Sequence, residues 1–467
     1  MTRDAALAQA REQLDSGAFV QTLARRVAVR TESQDAASGP ALHAYLADEI
    51  GPALAALGFN FGIHANPEPA CGPLLVATRH ESDDLPTVLM YGHGDVIRGQ
   101  DASWTRGNGP WALVQDGERL YGRGTADNKG QHSINIAALS STLAARGGRL
   151  GFNLKWLLET GEETGSPGLA AFCAAHRGEL AADVLIASDG PRLRRDRATV
   201  FLGSRGVANF DLSLTLRDRA HHSGNWGGLL RNPGTVLANA IASLVDGRGC
   251  IRVAALRPPP IPANVRAALQ GLQFGGDPGD PEVDAEWGEP GLTPAERVIA
   301  WNTLEVLACR TGNPDFPVNA IPPGAKAHMH LRFVVGTDVS RLQGDVAAHL
   351  AAAGFGDVQV SEPTVMAATR LDPDNAWVRF VLASIERSTG QAPVLLPNLG
   401  GSLPNDVFAD ILGLPTVWVP HSYPACCQHA PDEHLLLPVV REALPLMAGL
   451  YWDIGEQAAS LPQRPRT

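Results

Sequence analysis

Four short runs set a histidine or a carboxylate among glycines, GHGD at 92–95, GRGTADNKG at 122–130, ETGEETGS at 159–166 and ASDG at 187–190, and a fifth, QHAPDEH at 428–434, adds histidines and acids near the C-terminus. They offer His93, Asp95, Asp127, Glu162, Glu163, Asp189 and His429. Imidazole nitrogens and carboxylate oxygens without cysteine suit zinc or a related borderline divalent ion. A single His-x-Asp or Glu-Glu pair is weak evidence, and a solvated loop would also explain it. Five such runs at the ends of predicted strands point instead to one cation-binding centre. Glu162 and Glu163 sharpen the point. Two adjacent anions at a strand end read either as a solvated loop or, more sharply, as a cation site, with one glutamate holding the ion and the other working beside it.

Other chemistries fit less well. GRGTADNKG begins like a dinucleotide fingerprint, but Asp127 takes the third glycine position. Asn128 before Lys129 breaks the phosphate-loop spacing, and no G-x-S-x-G nucleophile elbow is present.

Parallel-sheet elements must carry these runs. TVLMYGHGDV (87–96), NLKWLLE (153–159) and ADVLIASDG (182–190) read as buried strands that stop at polar residues, and GQHSINIAALSSTLAAR has the period and length of a helix. Apolar strands separated by helices predict an α/β layer with a mostly parallel sheet, whose strand ends form the ligand site. After residue 205 the pattern changes. NFDLSLTLRD and AKAHMHLRFVVG alternate, the first with Phe210, Leu212, Leu214 and Leu216 on one face. PGTVLANAIASLVD and SRLQGDVAAHLAAAGF are helical, and DVQVSE is a short strand. This predicts an α+β sandwich, a lid over 206–362 inserted into a catalytic domain of 1–205 and 363–467. The intervening Pro/Gly-rich segment, roughly 247–325, reads as a decorated connection within the lid, with TPAERVIAWNTLEVLACR as a helical piece. The first 27 residues read as one amphipathic surface helix.

The 467 residues, 44% hydrophobic, can bury more than one core. The net charge of -11, from 38 basic and 49 acidic residues, argues against a nucleic-acid partner. No apolar stretch reaches the ~20 residues of a membrane span. Six scattered cysteines without CxxC spacing predict reduced thiols in a cytoplasmic protein.

Taken in order, GHGD, GRGTADNKG, ETGEETGS, ASDG, GGSLP and QHAPDEH resemble the dinuclear zinc exopeptidase and aminoacylase family over nearly the whole chain. HHSGNWGG (221–228) and the long lid insertion are most similar to its carnosinase-type dipeptidase branch. The resemblance implies two divalent ions, zinc with manganese or cobalt as options. Asp127 would bridge them; His93 and Asp189 would complete one site, Glu163 and His429 the other. His421 and His434 compete with His429 for its place. A hydroxide between the ions would be the nucleophile, Glu162 the general base, and Asp95 the residue that orients His93. His222, rivalled by His221, would stabilise the oxyanion. Arg332 would bind the substrate carboxylate, with Asn319, Gly401 and Ser402 also touching substrate. The expected activity is hydrolysis of an amide bond in a small carboxylate-bearing molecule, most simply a dipeptide, by a homodimer paired through the lid. The alternatives are an N-acyl- or N-carbamoyl-amino-acid amidohydrolase and a catalytically silent metal-dependent binding protein. The sequence departs from the family at Gly94, RGNGPW and HHSG, changes that leave the metal set intact but bear on the substrate pocket.

Overall fold

The computed structural model describes residues 2–276 and 280–464; residues 277–279, within the Pro/Gly-rich stretch, lie outside it. An eight-stranded sheet forms the base. Its strands lie in the order Asn60–His64, Leu74–Arg79, Asn153–Glu159, Thr87–His93, Val184–Ala187, Thr416–Trp418, Thr199–Phe201 and Val394–Leu396. The four consecutive strands from Asn153–Glu159 to Thr416–Trp418 are parallel and almost wholly buried. Apolar cores on both faces explain their continuous hydrophobic runs. Helix Lys129–Ala145 packs on one face together with the C-terminal helix Leu437–Gln457.

The N-terminal stretch forms two helices, Arg3–Asp15 and Ala18–Ala28, rather than one. Gly17 takes a left-handed φ of 77° between them, a conformation that ends the first helix and redirects the chain. Ala6 and Ala10 on the first and Leu23 and Val27 on the second are fully enclosed, so each helix packs one face into the core.

A second, five-stranded antiparallel sheet is built from Gly206–Thr215, Thr303–Thr311, Gly324–Phe333, Gln359–Val360 and Thr364–Met366. Helices Pro233–Leu244 and Leu342–Ala352 cover one face, burying Phe210, Leu212 and Leu214 while Leu216 is partly covered. The TPAERVIAWNTLEVLACR stretch departs from its helical reading. A Thr293–Glu296 capping box starts a short helix, Pro294–Ile299, and the chain then becomes the edge strand Thr303–Thr311. Buried Asn302 makes the break, donating to Leu256 O at 2.8 Å and accepting from Val334 N at 2.8 Å. Pairing with Gly324–Phe333 then overrides local helix preference. Val265, Leu269, Ala295, Ile299 and Ala300 form a small apolar cluster of their own. Asn398 donates to Ile299 O at 2.8 Å, so the connection also packs on the segment after the first sheet's last strand.

The chain enters and leaves the second sheet side by side. Leu371 N donates to Leu202 O at 2.8 Å and Thr369 N to Ser204 O at 3.0 Å, after which Met366 pairs with Val207.

Candidate metal centre

The metal-ligating candidates converge at the C-terminal edge of the parallel strands, where open α/β sheets place their sites. His93 ends its strand, Asp189 follows Val184–Ala187 by two residues, and Glu162–Glu163 form a short turn after Asn153–Glu159. Asp127 lies just before helix Lys129–Ala145. Asn128 Nδ2 donates to Ser188 O at 2.8 Å, and Gln131 Nε2 donates to Ala126 O at 2.9 Å and Gly190 O at 3.2 Å. The Asp127 loop is thereby tied to the Asp189 loop.

Asp127 faces both ways. Its Oδ1 lies 2.9 Å from His93 Nε2, and its Oδ2 lies 3.0 Å from His429 Nε2. Asp189 Oδ2 stands 3.7 Å from His93 Nε2, and Glu163 Oε2 stands 3.0 Å from His429 Nε2. Asp95 clasps the arrangement from behind. Its carboxylate accepts from Glu162 N at 3.2 Å and Glu163 N at 3.1 Å, and lies 3.3 Å from His93 Nδ1. Glu159 closes the same turn, accepting from Tyr91 Oη at 2.7 Å and Ser166 Oγ at 2.9 Å.

The electrostatics call for a cation. Burial pushes the Glu162 carboxyl well up, Glu163 up to about 7 and Asp189 up to about 6. Burial also acts to raise Asp127, but hydrogen bonds from His429 and His93 hold it below the usual carboxylate range. Hydrogen bonds to Asp127 and Glu163 raise His429 to about 10. Burial opposes charge on His93, yet its bonds to Asp127 and Asp95 hold its pKa well above the ordinary value. Protonating both imidazoles would offset only two of the four carboxylates. Donor atoms of His93, Asp127 and Glu163 all lie within 4.8 Å of one another. Buried Asp189 Oδ2 has no hydrogen-bond partner. A divalent ion fits this N/O donor set: it would supply the missing positive charge and engage that orphaned oxygen.

The rival histidines are occupied elsewhere. His434 Nε2 pairs with Tyr423 Oη at 2.5 Å, and His421 Nε2 lies 3.2 Å from Ser188 Oγ. Gly94 makes room for a tyrosine, since an added Cβ would meet the Tyr45 ring at 2.7 Å.

The expected substrate residues form two groups. Arg332 Nη1 donates to Ser402 Oγ at 2.6 Å, and Ser402 Oγ donates to Arg205 O at 2.6 Å. Arg205 Nε in turn donates to Gly400 O at 2.8 Å, next to Gly401. His222 and Asn319 meet on a small ribbon, where His222 pairs with Ala320 and Asn319 O accepts from Ser223 N at 2.9 Å. Among the described residues no hydrogen bond or ion pair joins this ribbon to the metal-ligating cluster. Sequence reasoning does not single out Gln428, whose Nε2 donates to Asp127 Oδ2 at 2.5 Å, nor Arg205 and Glu433. The only available signal for Gln428 and Glu433 was their place in the QHAPDEH run.

Known proteins agree with this architecture. The chain matches the Peptidase family M20/M25/M40 model over residues 89–452. It is 35% identical over 184 residues to Beta-Ala-His dipeptidase of Mus musculus, covering 39% of this chain and 37% of that protein. The match therefore spans well under half of that relative's length. It is 27% identical over 344 residues to Cysteinylglycine-S-conjugate dipeptidase of Corynebacterium striatum, covering 71% of this chain and 72% of that protein. The crystal structure of human carnosine dipeptidase 1 shares the fold, with a TM-score of 0.78 at 22% identity, covering 96% of this chain and 99% of that one. With the family model spanning most of a chain whose acids and histidines converge at one sheet edge, the protein belongs to peptidase family M20/M25/M40.

Proposed function

We propose that this chain is a dinuclear dipeptidase that hydrolyses the peptide bond of a small substrate bearing a free carboxylate. One observation carries the reading: the two oxygens of Asp127 face different histidines, each accompanied by a second carboxylate. Asp127, His93 and Asp189 would hold one ion; Asp127, Glu163 and His429 would hold the other. Zinc suits the donors, and manganese or cobalt are the alternatives. When bound, such ions supply Lewis acidity, activating water near neutral pH and polarising the scissile carbonyl. Glu162 is the general base. It is half-buried beside the ligands without being needed as one, and its carboxylate takes the water's proton and returns it to the leaving nitrogen. Asp95 fixes the peptide groups of Glu162 and Glu163 and orients His93.

Substrate contacts follow the same logic. Arg332 carries a planar fork suited to a carboxylate, and its bond to Ser402 brings the second sheet's unit against the Gly401–Ser402 loop. His222 and Asn319 would act as donors towards the reacting carbonyl from the lid. The lid is also the surface for a second copy. Edge strand Thr303–Thr311 exposes Val306 and Leu307, and nearby Phe316 and Val318 are 77% and 76% exposed. Such an apolar edge is a template for pairing. Six free cysteines agree with a cytoplasmic setting, and among the described residues no helix is long and apolar enough to cross a membrane.

A hydrolysis screen tests the reading: dipeptides, acyl-amino acids and carbamoyl-amino acids against zinc-, manganese- and cobalt-loaded protein. Dipeptides should be cleaved fastest. Cleavage confined to acyl- or carbamoyl-amino acids would replace the dipeptidase assignment with an amidohydrolase one.

A further inference from the structure

Glu433 is wholly enclosed, 1% exposed, in a cup of donors from the loop that ends in Asp127. Its Oε1 accepts from Ala126 N at 2.9 Å, Gly124 N at 3.0 Å and Asp127 N at 3.1 Å. Its Oε2 accepts from Arg123 Nη1 at 2.8 Å and Gly124 N at 3.1 Å. Its own carbonyl accepts from Gly122 N at 3.0 Å. Asp432 beside it serves another loop, accepting from Thr105 N and Arg106 N, both at 2.8 Å. A buried carboxylate is tolerated only when its lone pairs are satisfied. Here almost every partner lies on one short loop, and that loop carries the carboxylate shared between His93 and His429.

We infer that Glu433 is a positioning residue for the metal centre: it ties the 122–127 loop to the 428–434 segment, so that Asp127 presents one oxygen to His93 and the other to His429. His429 lies four residues before Glu433, so a single side chain sets the spacing of two ligands far apart in sequence. With its peptide N–H bonded, Asp127 cannot swing its backbone; released, it loses one of its two histidine contacts. A residue that only braced the fold would contribute stability and leave ligand spacing untouched. The inference rests on the metal-centre reading above, and the test separates the two.

The test uses Glu433→Gln in the full chain. The glutamine carbonyl keeps one set of acceptor bonds but sets an amide N–H2 against the Arg123 guanidinium, donor against donor. Zinc affinity is measured by competition with a chromophoric chelator, the ligand field by cobalt absorption, and turnover by kcat and KM on a dipeptide. The expected result is zinc affinity weakened about 10–100-fold, the range for partners that orient metal ligands. An altered cobalt spectrum and a lower kcat at unchanged KM should accompany it. Unaltered affinity and spectrum, with only a lower unfolding temperature, would overturn the inference. Should the variant not fold, amide hydrogen exchange over 122–128 in the unaltered, metal-free protein decides. Exchange as slow as in helix Lys129–Ala145 supports the tether, and exchange as fast as in an exposed loop overturns it. Unaltered protein that binds no divalent ion would refute the metal-centre reading and, with it, this role.

Discussion

Replacing Asp95 by asparagine isolates the clasp behind the metal centre. Asp95 is fully enclosed and accepts two peptide N–H groups, from Glu162 at 3.2 Å and Glu163 at 3.1 Å. Asparagine retains one carbonyl oxygen and turns the other position into a donor. One peptide N–H is then buried against an N–H2 group, at about 1–3 kcal/mol. The surviving bond loses its ionic partner and falls from about 1.5–3 to about 0.5–1.5 kcal/mol. Together these give a loss of about 2–4 kcal/mol. His93 also loses the anion 3.3 Å from its Nδ1, which should lower metal affinity by about 10–100-fold. Urea unfolding of the metal-free protein reads the first effect as a lower midpoint at unchanged slope. Chelator competition reads the second. A stability loss below about 1 kcal/mol together with native zinc affinity would refute Asp95 as the clasp.

Glu162→Ala should keep both ions bound while kcat falls by about 10²–10⁴-fold, the usual worth of a general base; metal analysis and steady-state kinetics check it. Arg332→Ala removes a charge-assisted contact of about 1.5–3 kcal/mol. It should raise KM roughly 10- to 100-fold for substrates with a free carboxylate and leave esters of the same substrates unaffected. The metal-free protein should lose stability as pH rises. Folded-state values raised to about 7 for Glu163 and about 6 for Asp189 mean that the stability tied to their protonated forms is complete below the ordinary carboxylate range and gone above those values. His429, raised to about 10, extends the loss from the ordinary histidine value upward. Thermal unfolding between pH 4 and pH 8 should therefore show a falling midpoint without metal and a growing increment on adding zinc. A flat profile would contradict the site's electrostatics.

The side chains that converge at the sheet edge were more legible than the scaffold around them. His93, Asp127, Glu162, Glu163 and Asp189 sit in short glycine-containing runs that break off their strands, and such breaks show in a single sequence. His429 stands out only by its place in QHAPDEH, which holds no glycine. NLKWLLE coincides with the strand Asn153–Glu159, since a strand buried on both faces is a bounded apolar run. Strand Thr303–Thr311 was not legible. Its residues follow a capped helix without turn chemistry, and only pairing with Gly324–Phe333 makes them extended. Glu433 was hidden for another reason. A carboxylate whose work is to accept backbone N–H groups has partners without side-chain signatures. The pairing of Arg332 with Ser402 joins positions 70 apart, a distance no local pattern spans.

The paired entry and exit of the second sheet have a mechanical consequence. Residues 202–207 and 366–371 form a two-stranded strap, cross-bonded along its length. Such a strap resists stretching and in-plane shear, because both require breaking several bonds at once. It yields far more readily to twist and to flexing across its thin direction, so any swing of the smaller unit has a preferred axis. The two crossings are also only about one strand spacing apart, roughly 4.8 Å. Cutting out everything beyond the strap and closing it with a tight turn would therefore leave the larger sheet's chain path intact.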